Sequence, residues 1–309
     1  MINDIRKNIR SSYNINVEKY IPFSNKSGKI LCSCNSCYFV KKTGLYTDVK
    51  YKLLYNQGIR NVLYPKKNIN NKFVDINGDQ LYIVSDYFIK DVLSDEYIAS
   101  HLLEELKILH EETKYKKVLS PKYSRYKMEQ IYEYLLYKFN LLESFVRTVE
   151  NSEYTENSIL ILKNYHYIMD TKKIMAKINK KLIVDIKNNK SVYYSFIHNN
   201  PKKSHLLVSN GNSYLISLEK SKMGIPSLDI VKFYLENESL NIDIKELIID
   251  YFSKYDDDFY INYFYFFVML YYIKGIVIIN NDYITSQSIV FATKKLSLFI
   301  ERFSLNDLN

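Results

Sequence analysis

Alternation of apolar and polar residues in the first ninety positions predicts β-strands with one helix between them. Ile30 to Lys42 (ILCSCNSCYFVKK) alternates around a central Asn-Ser pair, which predicts two short strands joined by a tight turn. Lys72 to Ile76 and Gln80 to Asp86 are β-rich and are joined by Asn77-Gly78, a strong hairpin signal. Leu45 to Gly58 has helical spacing instead and ends at a glycine, a common helix stop.

A helical period replaces the alternation from Ser94, whose side chain is a candidate N-cap. Pro121 interrupts the helical pattern, and two long amphipathic segments continue it over Lys127 to Val149 and Asn157 to Lys187. Three short β-like runs then precede further helices: Val192 to Ile197, His205 to Val208 and Tyr214 to Leu218. The chain is therefore predicted to be α+β, with its strands concentrated in the first part.

Composition places the chain among globular proteins. Of its 309 residues, 47% are apolar and 25% are charged, which is enough for a buried core. The N-terminus lacks the apolar segment of a signal peptide, so we expect synthesis in the cytoplasm without a signal sequence. The apolar run Ile261 to Ile279 contains Asn262, Lys274 and several tyrosines, so we interpret it as a buried helix and expect no membrane span.

The net charge of +9 does not by itself indicate a nucleic-acid partner. The lysines lie in short pairs scattered along the chain, such as Lys66-Lys67 and Lys180-Lys181, and do not form one basic stripe. Because nucleic-acid phosphates are bound by clustered positive charge, we expect a solvated basic surface and no nucleic-acid binding.

Cys32, Cys34 and Cys37 form a C-x-C-x-x-C pattern that is compatible with metal binding or with core packing. A structural zinc site needs four ligands, no fourth cysteine follows, and the five histidines lie far away in sequence. Buried thiols in a reducing compartment serve equally well as small core residues. We therefore expect core packing and no metal, with zinc as the weaker alternative.

The stretch His198 to Lys220 (HNNPKKSHLLVSNGNSYLISLEK) resembles the catalytic hairpin of the aminoglycoside phosphotransferase and choline kinase-like superfamily, most closely its spore-coat, CotS-type branch. In that superfamily the hairpin reads H-G-D-x-x-x-x-N-I-L, a turn, and then I-D-F/W-E. Phe39-Val40-Lys41 resembles the strand that carries the phosphate-pairing lysine, and Ile108-Leu109-His110 resembles the end of the helix that follows the hinge. Ile225-Pro226-Ser227-Leu228-Asp229 resembles the helix start that follows the activation-segment position.

This resemblance implies a bilobal protein-kinase-like fold. The β-rich N-lobe would cover residues 1–90, and a larger, mostly helical C-lobe would cover residues 91–309 and contain the degenerate hairpin at residues 198–219. An ordinary β-hairpin in which His198 is simply buried is the alternative interpretation of the same stretch.

The substitutions in the hairpin fall on the residues that carry the family's chemistry. His198 matches the family histidine, Asn200 stands at the catalytic aspartate, His205 at the metal-binding asparagine and Ser217 at the metal-binding aspartate. A serine hydroxyl lacks the carboxylate charge that Mg²⁺ prefers, and an asparagine amide has no basic site for a proton. We therefore predict no catalytic residues and a protein that is not an enzyme, a pseudokinase, with residual phosphotransferase activity left open.

Three further residues remain candidates for a binding or structural role. Lys41 could pair with a nucleotide phosphate, but the expected glycine-rich loop is missing and only Gly28 lies nearby, so we expect no cofactor and favour absence of ATP binding over binding. Glu219 could rescue a metal site, although a solvent-facing position fits it better. Asp229, near a helix start, is expected to be structural, through capping and the helix dipole.

The leading hypothesis is an inactive kinase-like protein that binds other proteins, and the resemblance to the CotS-type branch implies coat or envelope components as partners and assembly on the spore coat. One alternative is a divergent small-molecule or sugar kinase in which Lys41, Glu219 and Asp229 take altered roles. The other is a nucleotide sensor that binds without turnover.

Overall fold

The computed structural model describes residues 2–33, 36–188, 191–279 and 281–307. Residues that contact one another in space divide the chain into two compact units. The first unit contains Met1–Lys114, Ser195–Gly224 and Ser239–Asn241, and the second contains Tyr115–Tyr194, Ile225–Glu238 and Ile242–Asn309. The predicted lobe boundary at residue 90 stays a prediction.

The first unit contains the N-terminal sheet, three helices and a short hairpin that comes from much later in the chain. Its elements are α1 (Ile2–Tyr13), β1 (Val17–Ser24), β2 (Ser27–Cys32), β3 (Cys37–Lys42), α2 (Thr47–Asn56), β4 (Asp75–Asn77), β5 (Gln80–Asp86) and α3 (Asp95–Glu112). The five strands are antiparallel in the order β1-β2-β3-β5-β4.

Helix α1 and strand β1 were not predicted from the sequence. Ile9 of α1 is fully buried and packs in one core with Ile30, Val40 and Val84 of the sheet. This helix is short and highly charged, so its stability depends on that apolar contact more than on local propensity. The described part of the first ninety residues therefore contains two helices instead of the one predicted.

The other predicted strands and the helix of this region are confirmed with shifted bounds, β4 beginning three residues later than predicted, while Asn35 of the first predicted turn lies outside the described residues. The turn that joins β4 to β5 consists of Gly78 and Asp79, one residue later than the predicted Asn77-Gly78, since Asn77 still pairs with Gln80. Gly78, with φ of 57°, supplies the positive φ at the first turn position. Helix α2 begins at Thr47, and Gly58, with φ of 77°, follows its end. The Ser94 hydroxyl accepts a hydrogen bond from the Tyr97 N–H at 3.2 Å, as the N-cap prediction requires.

The second unit is mostly helical. Its elements are β6 (Tyr115–Val118), α4 (Pro121–Glu150), α5 (Glu156–Lys187), the first part of β7 (Ser191–Ile197), α6 (Ser227–Asn237), α7 (Ile244–Ser253), α8 (Phe259–Gly275) and α9 (Asp282–Arg302). Pro121 starts α4 and does not interrupt it, because the first helical position needs no N–H donor. The Tyr115–Tyr194 pair lies in an antiparallel β6–β7 ladder.

Helix α8 is apolar on nearly all sides, which is expected for a helix surrounded by protein. It begins two residues before the segment interpreted above as a buried helix, Ile261 to Ile279, and ends within it at Gly275. Phe264 of α8 packs edge-on against Tyr234 of α6 and against Phe299 and Phe303 of α9, with ring centroids 5.6–5.9 Å apart. In the described ranges, no helix combines the length and the apolarity needed to cross a membrane.

The last three strands of the chain belong wholly to the first unit: β8 (Leu206–Ser209), β9 (Asn212–Leu215) and β10 (Lys222–Gly224). Strands β8 and β9 form an antiparallel hairpin through Asn210 and Gly211, and Gly211 has a positive φ of 73°. Strand β10 pairs with the end of β7, from Ser195 to Ile197. The residues of the predicted catalytic hairpin are therefore in the same unit as the N-terminal sheet.

The N-cap of α3 gives a first test of the fold. We expect Ser94→Ala to lower the free energy of unfolding by about 1 kcal/mol, because the Tyr97 N–H then has no side-chain acceptor. Ser94→Asp should retain most of the stability, since aspartate is an equally good cap and its charge suits a helix N-terminus. Urea denaturation followed by circular dichroism measures both, and equal losses for the two variants would contradict this role of Ser94.

Candidate functional site

Lys41 is the centre of the candidate site, and all its contacts lie within the first unit. It lies on β3, opposite Ile83 of β5 and Ser27 of β2. Its ammonium group donates to Ser217 Oγ at 2.9 Å and lies 2.7 Å from Glu219 Oε1. The site therefore joins a strand of the N-terminal sheet to a loop 176 positions further along the chain.

The loop after β9 places Glu219 against Lys41. Ser217 adopts the left-handed conformation, with φ of 66° and ψ of 50°, and turns the chain into the short 3-10 helix Leu218–Lys220. Leu218 is fully buried and anchors this turn. The Glu219 side chain is only 23% exposed, so it does not face solvent as expected from the sequence. The expected alternation of strand faces does not reach residue 219, because β9 ends at Leu215.

Lys50 of α2, which was not predicted from the sequence, brings a second cation to the same place. Its ammonium group donates to the backbone carbonyl of Glu219 at 2.6 Å. Burial lowers the pKa of Lys50 below its ordinary value, and the nearby Glu219 carboxylate acts in the opposite direction. No sequence signal marks Lys50, because its acceptor is a main-chain atom.

Asp48, the acidic residue of α2 nearest to Lys41 in sequence, has a different role. Its carboxylate accepts the Phe73 N–H at 2.7 Å and pairs with Lys52 at 2.7 Å. The acidic partner of Lys41 is therefore Glu219 from the distant loop and not a residue of α2.

The segment after β7 holds His198 and Asn199 in fixed conformations. His198 is fully buried, and its Nε2 lies 2.8 Å from the Ile216 carbonyl, which can only accept, so this nitrogen carries the proton. Asn199 has a left-handed φ of 60°, and its side-chain amide donates to the Lys220 carbonyl at 2.9 Å. Non-glycine residues with positive φ are uncommon and persist where surrounding contacts hold them.

Asn200 and His205 are brought together by the following turn. His205 Nδ1 lies 2.7 Å from the Asn200 carbonyl oxygen and 3.4 Å from the Asn200 side-chain amide. The His205 ring is stacked on His198, with centroids 5.4 Å apart and planes at 19°. Burial is the main cause that lowers the pKa of His205 below its ordinary value.

The β8–β9 hairpin is attached to the first unit through main-chain bonds. The Leu215 N–H donates to the Asn61 carbonyl at 2.8 Å, and the Leu63 N–H donates to the Leu215 carbonyl at 3.1 Å. The Ile216 N–H donates to the His205 carbonyl at 2.9 Å, which connects the two sides of the hairpin just before Ser217. These bonds fix the position from which the Ser217–Glu219 loop reaches Lys41.

The charges of this cluster favour an anion over a free metal ion. Lys41 and Lys50 contribute two positive charges against the single carboxylate of Glu219, and His205 is neutral at pH 7 because its pKa is lowered. Among the residues that the structure describes, no group of three or more His, Cys, Asp or Glu side chains could hold a metal ion. The described residues therefore do not fit a Mg²⁺ ion held by the protein alone.

The cysteines and Asp229 lie outside this cluster. Cys32 is buried in the core of the N-terminal sheet and Cys37 is half-buried, while Cys34 falls outside the described residues. The zinc alternative for these cysteines stays a prediction. Asp229 is in the second unit, fully buried in the first turn of α6.

Solved structures similar to this chain are phosphotransferases and kinases. An aminoglycoside phosphotransferase from Alicyclobacillus acidocaldarius matches with a TM-score of 0.61 at 12% identity, over 96% of this chain and 93% of that one. The amicoumacin kinase hAmiN, in complex with AMP-PNP, Ca²⁺ and Ami, matches with a TM-score of 0.54 at 12% identity, over 95% and 93% of the chains. No protein-family model matches the chain, and no curated protein matches it in sequence.

These comparisons confirm the predicted fold class, an α+β kinase-like fold with a β-rich N-terminal part and a mostly helical C-terminal part. The resemblance to the aminoglycoside phosphotransferase and choline kinase-like superfamily is confirmed at the level of fold, and the CotS-type branch stays a prediction. The prediction that the chain is not an enzyme is wrong, because the solved structures with a similar fold are named as a phosphotransferase and a kinase. That prediction rested on three substituted positions and did not foresee the Lys41–Glu219 pair.

The left-handed backbone of Asn199 gives a test of how this site is held. We expect Asn199→Ala to destabilise the protein by about 1–2 kcal/mol, because alanine is strained at φ of 60° and the bond to the Lys220 carbonyl is lost. Asn199→Gly removes the same bond without the backbone strain, so its loss should be smaller. Thermal and urea denaturation compare the two, and a glycine variant as unstable as the alanine variant would contradict strain at this position.

Proposed function

We propose that the chain is a phosphotransferase that moves a phosphoryl group from a nucleoside triphosphate to a hydroxyl group of a small molecule. The observation that carries this proposal is the Lys41 ammonium group, held at 2.7 Å from Glu219 Oε1 and 2.9 Å from Ser217 Oγ. Enzymes transfer phosphoryl groups mainly by positioning the reactants and stabilising charge, and an oriented ammonium group supplies both. The names of the similarly folded structures support the same reaction class.

The two lysines of the site suit a polyphosphate. Lys41 comes from the sheet and Lys50 from α2, and both reach Glu219, one through its carboxylate and the other through its carbonyl. A phosphate placed beside them would meet two ammonium groups that are already oriented. At 4 Å and an effective dielectric constant near 20, each charge pair contributes about 4 kcal/mol before desolvation is subtracted. Nucleotide phosphates are thus the ligand that this cluster fits best.

The adenine nucleotide is the donor class that the comparisons favour, since hAmiN was solved with AMP-PNP. A glycine-rich loop is not needed to explain Gly28, because a Cβ atom there would come within 2.5 Å of the Tyr20 ring. Gly28 therefore makes room for Tyr20 in the sheet. In this proposal the phosphates are anchored by the lysine side chains and not by loop amides.

Magnesium would have to accompany the nucleotide. Glu219 is the one carboxylate in the cluster of described residues around Lys41, and it is already paired with that lysine. Mg²⁺ at such sites keeps several water ligands and binds largely to substrate phosphates, so a protein cage is not a requirement of the reaction class. Binding to other proteins and association with a spore coat stay predictions from the sequence resemblance.

Nucleotide binding tests the lysine pair directly. We expect Lys41→Met and Lys50→Met each to raise the Kd for ATP about tenfold or more, because each removes a charged hydrogen-bond donor from the phosphates. Lys52→Met is the matched control, since Lys52 lies on the same helix but pairs with Asp48. Isothermal titration calorimetry measures all three variants. An unchanged Kd in both Lys41→Met and Lys50→Met would refute phosphate binding at this cluster.

Turnover tests the reaction itself. Wild-type protein is incubated with γ-labelled ATP and Mg²⁺, alone and with a panel of aminoglycosides, choline and sugars, and label is followed into products and into free phosphate. We expect transfer or slow hydrolysis that Lys41→Met lowers at least tenfold. ATP that binds but yields neither a labelled product nor free phosphate would contradict the proposed function.

A further inference from the structure

A general base is missing from the position where the motif resemblance places one. Asn200 stands there, and its amide cannot take a proton at neutral pH. Two nearby residues of the described hairpin, Glu219 and His198, have atoms that could accept a proton, but neither is suited to act as the base. Glu219 is paired with Lys41, and His198 is fully buried with its Nε2–H donated to the Ile216 carbonyl. His205 is the remaining candidate.

The hydrogen bonds of His205 fix which of its ring nitrogens carries the proton. Nδ1 lies 2.7 Å from the Asn200 carbonyl oxygen, which can only accept, so Nδ1 must donate. The Asn200 side-chain amide is also near Nδ1, but at 3.4 Å this longer contact does not compete. With the proton on Nδ1, the neutral ring has its lone pair on Nε2.

His205 Nε2 is open to an incoming group. No described residue forms a hydrogen bond with this atom. The atom is also not buried within the protein. The residue as a whole is partly exposed. The stacked His198 ring covers one side of the imidazole and limits its movement.

The surroundings also keep His205 neutral. Burial is the largest influence on its pKa and lowers it from the ordinary value of 6.5. The charged or titratable groups that act on it are His198 and Lys41, which lower the pKa, and Glu219, which raises it, as does the bond to the Asn200 carbonyl. The net effect leaves the unprotonated ring, the form that can act as a base, as the dominant form at pH 7.

We propose that His205 Nε2 is the general base of the phosphoryl transfer, in place of a carboxylate at position 200. This inference rests on the proposed function. The acceptor hydroxyl gives its proton to Nε2 as its oxygen forms a bond to the γ-phosphorus. The bond between that phosphorus and the bridging β,γ-oxygen breaks, and its electron pair leaves with the nucleoside diphosphate. The imidazolium then releases the proton to solvent, which restores the starting state.

In this arrangement the Asn200 carbonyl takes the role of orienting the base. Histidine bases are commonly held in one tautomer by an acceptor on the far nitrogen. Here that acceptor is a main-chain oxygen five residues earlier, in the same loop. The base therefore requires no carboxylate. Asparagine at position 200 still orients His205, because the main-chain carbonyl is present whichever side chain stands there.

The kinetic test uses hydrolysis of ATP, in which water is the acceptor, together with any transfer found in the acceptor panel. We expect His205→Gln to lower kcat about 10² to 10⁴-fold with little change in the Kd for ATP. Wild-type kcat/KM should rise with pH through a midpoint below 6.5 and then level off, because the base must be unprotonated. The variant should lose this acidic limb. His101→Gln, which alters a histidine paired with Glu104, is the control and should keep both rate and profile.

A second measurement is independent of turnover. Nitrogen-15 NMR of the full chain, with His205→Gln used to assign the signal, reports the tautomer and the pKa of His205. We expect the Nδ1–H form at pH 7 and a midpoint below 6.5. An Nε2–H form, or a ring protonated at pH 7, would overturn the proposal while leaving a phosphotransferase function intact.

The outcomes separate the two hypotheses. A wild-type enzyme that turns over while His205→Gln keeps its rate and its acidic limb would show that the base lies elsewhere. ATP binding without transfer or hydrolysis would overturn the proposed function, and the general-base role with it. Calorimetric ATP binding and the melting temperature of His205→Gln identify a variant that fails only because it does not fold. In that case His205→Asn, which introduces the residue that the resembled family has at this position, is measured in the same assays and decides the question.

Discussion

The contact between Lys41 and Glu219 is the constraint on which the rest of the site depends. It joins a strand of the N-terminal sheet to the loop after β9 within one compact unit. Both side chains are about one quarter exposed, so solvent screens the pair and its contribution to stability is modest. Its importance is geometric. A carboxylate that is mostly covered needs a partner, and the left-handed turn at Ser217 places Glu219 against Lys41.

The pair also determines the electrostatic character of the site. In a site built around a metal ion, carboxylates outnumber cations, and the ion balances them. Here the cations outnumber the single carboxylate, and Lys50 adds its charge through a bond to the Glu219 carbonyl. Such a site attracts phosphate directly and has less need of a metal ion bound to the protein. A serine at position 217, where the motif resemblance would place an aspartate, is consistent with this, since a second acid beside Glu219 would neutralise the lysines.

Local patterns in the sequence predicted much of the fold. The β4–β5 hairpin, the Asn210-Gly211 turn, the Ser94 cap and the two long helices carry their signals within a few residues, and the structure confirms them, with the first of these turns shifted by one residue. Helix α1 lacked such a signal, because its stability comes from Ile9 packing on strands that follow it. The Lys41–Glu219 pair could not be predicted from local patterns either, because its two residues lie far apart in the sequence. It depends on where two distant segments are placed, and only the fold determines that.

The prediction of lost catalysis assigned each chemical role to the side chain at one sequence position. In the structure, other atoms of the same loop are placed where they could take such a role. The side chain of Asn200 has no basic atom, but its carbonyl orients the His205 ring, and the ring has a free lone pair on the opposite side. The motif resemblance places His205 at a metal-ligand position, while its bond to Asn200 and its stacking on His198 equip it for proton transfer. Roles in an active site belong to atoms at particular places, and main-chain atoms keep their places when side chains change. A degenerate motif on an intact loop is therefore weak evidence against catalysis.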